Sequence, residues 1–249
     1  MYPEEQVANK NPYSQAGVIN DNVDVRATFI MKTYAHLFGA IITFAGLIAI
    51  LIKIGVALTL YRVLFQGSSF TFLIAIMVLG FAGSIASNVA HSSRSKASQY
   101  AALAAYITME ALIFSPLILL ANSISMQSDG ADIVPTAALA TLGIFSVLTA
   151  IMFYTRKDLS SWRRYITYAF FGAIALIIVS AITGFTLGPI ITVGFIILAG
   201  AVVLYSTSNI MHHYHESQYV GASLALFAAI AMLLWHILIF LIQMAGSND

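Results

Sequence analysis

Apolar residues recur along this chain in long unbroken runs rather than in alternation. Seven runs, at residues 30–52, 69–90, 98–121, 133–154, 162–184, 188–210 and 219–244, are nearly free of charge. A helix needs about 20 apolar residues to cross the hydrocarbon of a bilayer, so each run predicts one crossing. Alternating segments of about ten residues, the mark of a membrane barrel, do not occur. Residues 184–188, followed by Pro189, are all that part the fifth and sixth runs. Gly and Pro stop a helix for backbone reasons, so a tight reversal is expected there. The predicted fold is all-α: a polytopic membrane protein of seven transmembrane helices, one domain over residues 26–249. Residues 1–25 are polar and hold Pro3, Pro12, Asp21 and Asp24. With no short apolar core before a cleavage site, they are expected to be a loose tail rather than a removable signal, leaving the first run as the insertion signal.

Composition supports the crossings and removes several function classes. Of 249 residues, 60% are hydrophobic and 8% charged, against roughly 25% charged in soluble domains. Too few charges are present to cover a water-soluble fold of this size. The net charge of +1 provides no basic stripe for nucleic acid. The chain has no Cys, hence no disulfide frame and no thiolate metal site. Charge position is more informative. The tail and first run hold Lys10, Arg26 and Lys32, the first loop Lys53 and Arg62, the second Arg94 and Lys96, and the fourth Arg156, Lys157, Arg163 and Arg164. Assigned alternately, nine cations fall on one side and two on the other. The richer side is expected to be cytoplasmic, with the amino end inside and the carboxyl end outside. Tyr154, Trp162, Tyr165, Tyr205, Tyr214 and Tyr219 fall near that boundary, as interface anchors would.

Polar residues inside the runs are the candidate chemistry, because each is costly in lipid. Glu110 lies 13 residues into the third run, about 19 Å along the helix and near mid-membrane. Pro116 frees the carbonyl of Leu112 close by, and a carboxyl beside a freed carbonyl suits a proton or a cation. The alternative is a neutral Glu bonded to a neighbouring helix. His36 shares a depth with Ser206, Thr207, Ser208 and Asn209, which together would make one polar layer, or each hydrogen-bonds separately across a helix contact. His236 lies too far from His36 in depth to pair with it. His212, His213, His215 and Glu216 crowd the sixth loop. Imidazole titrates near about 6.5, so these histidines suit cytoplasmic pH sensing; were the helix to continue, His212, His215 and Glu216 would share a face at a zinc-ligating spacing. A hydrated loop without a ligand is the simpler alternative. Gly80, Gly83, Ser84 and Ser87 in the second run permit close helix approach.

Familiar chemistry is missing. The seventh run has no Lys for a retinal Schiff base, and neither H-E-x-x-H nor G-x-S-x-G occurs. No enzyme activity and no cofactor are expected.

Four stretches resemble the Bax inhibitor-1 (transmembrane Bax inhibitor motif) family over about residues 26–244. They are Arg26-Ala-Thr-Phe-Ile-Met-Lys-Thr-Tyr, Phe114-Ser115-Pro116-Leu117, Thr155-Arg156-Lys157-Asp158-Leu159-Ser160, and Leu204-Tyr205-Ser206-Thr207 with Ile210-Met211-His212, Tyr219-Val220 and Leu224-Ala225-Leu226-Phe227. Ser206-Thr207-Ser208-Asn209-Ile210 is most similar to the bacterial branch, which implies a bacterial inner (plasma) membrane. The resemblance implies seven helices with the last at the centre of the bundle. Arg156, Lys157 and Asp158 belong to the family's loop motif, and Asp158 is expected to bond Arg156, Lys157 or helix ends. Several family members leak calcium in a pH-dependent way through an aspartate pair in the sixth and seventh helices. Here Ser206 stands at the first position and Ala229, or Ala228 if the loop is one residue shorter, at the second. A Ser and an Ala cannot share a proton as two carboxylates do.

Two readings follow. One is a regulator acting through protein partners, as some bacterial relatives act on a membrane AAA protease, with the tail as the docked segment. The other is a calcium or proton leak lined by Glu110, His36 and the Ser206–Asn209 belt.

Overall fold

A backbone passing through lipid has no water to bond, so a single segment can satisfy its own polar groups only as a helix. The computed structural model describes residues 12–66, 74, 95–127, 132–185 and 187–246, with side chains from Asp24 onward apart from Phe65. Among the described residues there is no strand. Helix α1 spans Pro12–Lys53. Pro suits a first helical position, because its missing N–H would have had no partner there. The helix thus starts ahead of Asp24, inside the segment expected to be loose. It ends where Gly55 takes a φ of 80°, a left-handed conformation that glycine adopts without a Cβ penalty.

A short helix, α2 (Val56–Phe65), follows. Its ten residues reach only about 15 Å, too short to cross. It stands where a plain loop was expected, because Val56, Leu60 and Val63 recur at helical spacing and the helix packs on its neighbours. Then come α3 (Lys96–Gln127), α4 (Ile133–Thr155), α5 (Trp162–Thr183) and α6 (Pro189–His212). A 3-10 turn at Glu216–Gln218 leads into α7 (Tyr219–Ala245). Among the described residues six segments are long and apolar enough to cross a membrane: Asp24–Lys53, Lys96–Gln127, Ile133–Thr155, Trp162–Thr183, Pro189–His212 and Glu216–Ala245. They match six of the seven runs. The run at 69–90, with Gly80, Gly83, Ser84 and Ser87, lies outside the described residues apart from Ile74, as does Arg94.

The last crossing is the centre of the bundle. Helix α7 packs against α1, α3, α4 and α6, and its Leu224, Leu226, Phe227, Leu233 and Leu238 are all buried. Phe227 meets Phe44 edge-on with centroids 5.5 Å apart, Phe44 meets Phe114 at 5.1 Å, and Phe114 meets Trp235 at 5.3 Å. Lipid is as apolar as Leu, so interlocking of this kind, rather than escape from water, holds the helices together. Helix α5 is the opposite case: it packs on α6 and buries none of its residues. The expected reversal between them is present. Gly184 turns with a φ of 70° and Pro189 opens α6. At that end of the bundle the Gln243 amide donates to the Leu187 carbonyl (2.8 Å), while its oxygen accepts from Thr192 (2.8 Å). These bonds tie the reversal to α7.

Pro116 does not leave an open carbonyl. Helix α3 continues through it, and the Ser115 hydroxyl donates to the Leu112 carbonyl at 3.2 Å. Ser115 and Pro116 are both buried. The carbonyl expected to stand open beside Glu110 thus already accepts one hydrogen bond, from the neighbouring hydroxyl.

Candidate functional site

The polar side chains gather at one end of the bundle. There the crossing part of α1 begins, α3 and α5 begin, α4 and α6 finish, and α7 starts. Arg26, Lys32, Lys96, Arg156, Lys157, Arg163 and Arg164 belong to those helix ends and to the loop between α4 and α5. This basic end is built by three sets of contacts.

The first holds the 156–161 loop. Arg156 carries a φ of 50° and caps α4, its N–H donating to the Met152 carbonyl at 2.9 Å. Ser208, buried in the last turns of α6, donates to the Lys157 carbonyl (3.0 Å) and accepts from the Leu159 N–H (2.8 Å). One hydroxyl thus holds backbone groups on both sides of Asp158 in the family loop. Asp158 accepts from the Ser160 N–H at 2.8 Å and faces His213 Nε2 at 3.1 Å. Asp158 therefore bonds the backbone just ahead of α5 and a histidine rather than Arg156 or Lys157. The hydrogen bond from His213, followed by that from Ser160, holds its carboxyl down at about 2.

The second set ties α1 to the end of α6. The Arg26 guanidinium donates to the Tyr214 carbonyl at 2.9 Å and to the Ile210 carbonyl. The last carbonyls of a helix lack intrahelical donors and carry its negative end, so a cation fits there. Arg26 also lies 4.8 Å from the Phe29 ring centroid, and Glu216 acts on it electrostatically. Burial pushes the neighbouring Tyr214 phenol up, so it stays neutral.

The third set joins α1, α3 and α7. His36 Nδ1–H donates to the Lys32 carbonyl (2.7 Å), leaving Nε2 to accept from the Tyr100 hydroxyl at 2.8 Å in the neutral ring. Its ring lies 5.0 Å from that of Tyr219, and the Tyr100 and Tyr219 hydroxyls are near enough to interact. Lys96 Nζ sits 3.8 Å from the Tyr219 ring centroid and donates to the Ser217 carbonyl. The partners of His36 are thus two tyrosines and a backbone carbonyl, instead of a layer with Ser206, Thr207 and Asn209. Equal depth does not fix which way a side chain faces around its helix.

The remaining candidates are dispersed. Thr207 donates to the Val203 carbonyl of its own helix at 2.9 Å, and Ser206 and Thr207 are buried. The Asn209 carbonyl accepts from the N–H groups of His213 and Tyr214 and closes α6. His236 donates to the Met232 carbonyl at 2.8 Å and rests against Phe195. Helix α6 stops at His212, which donates to the Ser208 carbonyl (2.9 Å). His215 caps the 3-10 turn, with Nδ1 accepting from the Ser217 N–H. The three loop histidines therefore serve three different local bonds, and among the described residues no cluster of metal-ligating side chains forms. The shared face of His212, His215 and Glu216 does not arise, because the helix does not continue.

Glu110 is the one acid within the described crossings away from their ends. Tyr106 stands one turn earlier on α3, its hydroxyl near enough to interact with the Glu110 carboxyl, and its ring meets Phe227 of the central helix at 6.1 Å. Tyr100 and Tyr106 were not singled out from sequence. The four-residue step from Tyr106 to Glu110, which places both on one helix face, was the available signal.

The sequence profile of the family described as "Inhibitor of apoptosis-promoting Bax1" matches residues 26–246. A bacterial protein, "Uncharacterized protein PA2604" of Pseudomonas aeruginosa, is 32% identical over 127 residues, 49% of this chain and 54% of that protein. The chain thus spans about half the length of the curated relative it matches. With a profile match running from the first crossing to the last, over a helical bundle centred on its final helix, the chain belongs to the Bax inhibitor-1 family.

Proposed function

We propose that this chain is a non-enzymatic membrane regulator that acts through other membrane proteins, with a membrane-bound AAA protease as the partner class. One observation carries this reading. Helices α6 and α7 contain neither Asp nor Glu, and by the family resemblance the aspartate positions of leak-forming relatives fall on Ser206 and on Ala229, or Ala228 if the loop is one residue shorter; Ser206 and Ala229 are buried and Ala228 is half-buried. An interior sealed by a hydroxyl and a methyl group has no shared proton to release, so the pH latch of those relatives has no counterpart here. The basic end would face the cytoplasm of a bacterium, across its inner membrane, with residues 1–25 available to a partner. A shallow cleft of about 270 Å3 near the start of the described α1 side chains, lined in part by Asp24, Lys32 and Glu216, adds a mixed-charge surface there. The test is capture of the protease by the full chain in detergent, compared with a chain lacking residues 1–25. Capture that depends on the tail supports the reading. No capture by either form refutes the partner, and equal capture refutes the tail's role.

Glu110 favours a second reading, a calcium or proton leak. A carboxyl beside a tyrosine that leans on the central helix would respond to that helix's position. His36, Ser206, Thr207, Asn209 and His236 would be further polar lining, and His212, His213 and His215 would set a pH response from the loop. Reconstituted protein would then pass calcium or protons, and Glu110→Gln would alter the pH profile. Flux no greater than in empty liposomes removes this reading.

A further inference from the structure

No residue of helix α5 is fully buried, yet one of its faces is not featureless. Trp162, Tyr165 and Ala169 on α5 and Gly194, Ile197 and Ala201 on α6 line an open groove of about 420 Å3. Clefts that hold small molecules run from about 300 to 1,000 Å3. On each helix the lining recurs at three- and four-residue steps, so each contributes a single face. Small residues set the floor: a Cβ placed on Gly194 would meet nothing within 4 Å, which leaves open space above it.

Cations stand close to one end of this groove in the chain, and one of them reaches its lining. The Arg164 guanidinium lies 5.8 Å from the centroid of Tyr165, which itself lines the groove. Arg163 is its neighbour in sequence, and Arg156 and Lys157 stand on the loop leading into α5. All four are exposed. The acid of that loop, Asp158, is already bonded to His213 and Ser160. Among the described residues none of the four cations has a carboxylate partner.

We propose that this groove is a binding site for an anionic phospholipid of the surrounding leaflet, one acyl chain lying along Ala169, Gly194 and Ala201 and the headgroup phosphate held by Arg163 and Arg164. The charge pattern selects this occupant. A second copy of the chain docked here would bring two sets of unpaired cations together, whereas a phosphate compensates them and can accept the paired donors of a guanidinium. Trp and Tyr at the rim suit the headgroup level, where an aromatic body is apolar and its polar tip stays wet.

The test is native mass spectrometry of the full chain in non-ionic detergent, titrated with phosphatidylglycerol and with phosphatidylcholine of the same acyl chains. Phosphatidylglycerol is expected to bind more tightly. Each arginine removed should weaken it about fivefold, so Arg163→Gln with Arg164→Gln together reduce it about 25-fold, down to the level of phosphatidylcholine. Gly194→Leu, whose Cβ would meet nothing within 4 Å and whose side chain occupies the groove, should reduce binding of both lipids. Lys32→Gln with Lys96→Gln, at the same end but away from the groove, should leave the preference intact. Equal binding of the two lipids by the unaltered chain overturns the proposal, as does a preference that survives the double arginine change. A Gly194→Leu chain that shifts from dimer to monomer while keeping its lipid also overturns it and assigns the groove to a second copy.

Discussion

Replacing Ser208 by Ala asks how firmly α6 holds the 156–161 loop. The Ser208 hydroxyl is fully buried, donates to the Lys157 carbonyl at 3.0 Å and accepts from the Leu159 N–H at 2.8 Å. Each bond is worth about 0.5–1.5 kcal/mol net, and a buried donor left alone costs about 1–3 kcal/mol. The two ends are not equivalent. Lys157 is exposed, so its carbonyl can turn to water at little cost, while Leu159 is half-buried and its N–H would face the space vacated by the hydroxyl. The sum is about 1–2 kcal/mol, felt by the loop alone. Since about 1.4 kcal/mol is tenfold, amide exchange across residues 156–161 should rise about five- to thirtyfold. The assay is hydrogen–deuterium exchange in lipid nanodiscs, with peptides from Tyr219–Ala245 as the internal reference. Unchanged protection in the loop would refute the clamp. Equal loss of protection in α7 would show that Ser208 supports the whole bundle instead.

Three further outcomes are expected. The Asp158 carboxyl is held at about 2, below its ordinary 3.8, so its contribution is complete above pH 3.8 and fades as pH falls toward 2; the loop should keep its protection at neutral and mildly acid pH and lose it only in that window, and Asp158→Asn should remove the transition in an acid titration followed by exchange. Arg26→Met, which keeps the stem but drops both guanidinium bonds to the end of α6, should destabilise the protein by about 2–4 kcal/mol in detergent unfolding, with Arg26→Lys between it and the original, because an ammonium is a point donor that cannot span two carbonyls. Gly184→Ala meets no neighbour within 4 Å, so its cost is backbone strain at φ 70° alone, about 1–2 kcal/mol, read as a lower unfolding midpoint without loss of the fold.

Much of the framework was legible in the chain. The run at 133–154 became Ile133–Thr155, and the Gly and Pro around residues 184–189 became a reversal, because apolar length and backbone punctuation are local properties. What faces what was not legible. In lipid both sides of a crossing are apolar, so the periodicity that separates core from surface in water is erased. Phe227 and Phe170 look alike in sequence, yet the first is buried and the second is exposed. The position of α7 at the centre was implied only by family resemblance. His36 failed as a member of the Ser206–Asn209 layer for the same reason: depth along a helix was countable, direction around it was not. At Pro116 the lost N–H was foreseen, but not the Ser115 hydroxyl that compensates it.

The enclosure of the final helix is the claim on which the rest depends, and the absence of Cys makes it directly measurable. Single cysteines placed at Leu226 and Leu233 of α7, and at Leu139, Tyr168 and Ile190 on exposed positions of α4, α5 and α6, can each carry a spin label in liposomes. Collision with lipid-soluble oxygen should be low at both α7 sites and high at the other three. Oxygen access at Leu226 and Leu233 equal to that at Tyr168 would mean that α7 faces lipid, and the arrangement described here would be wrong.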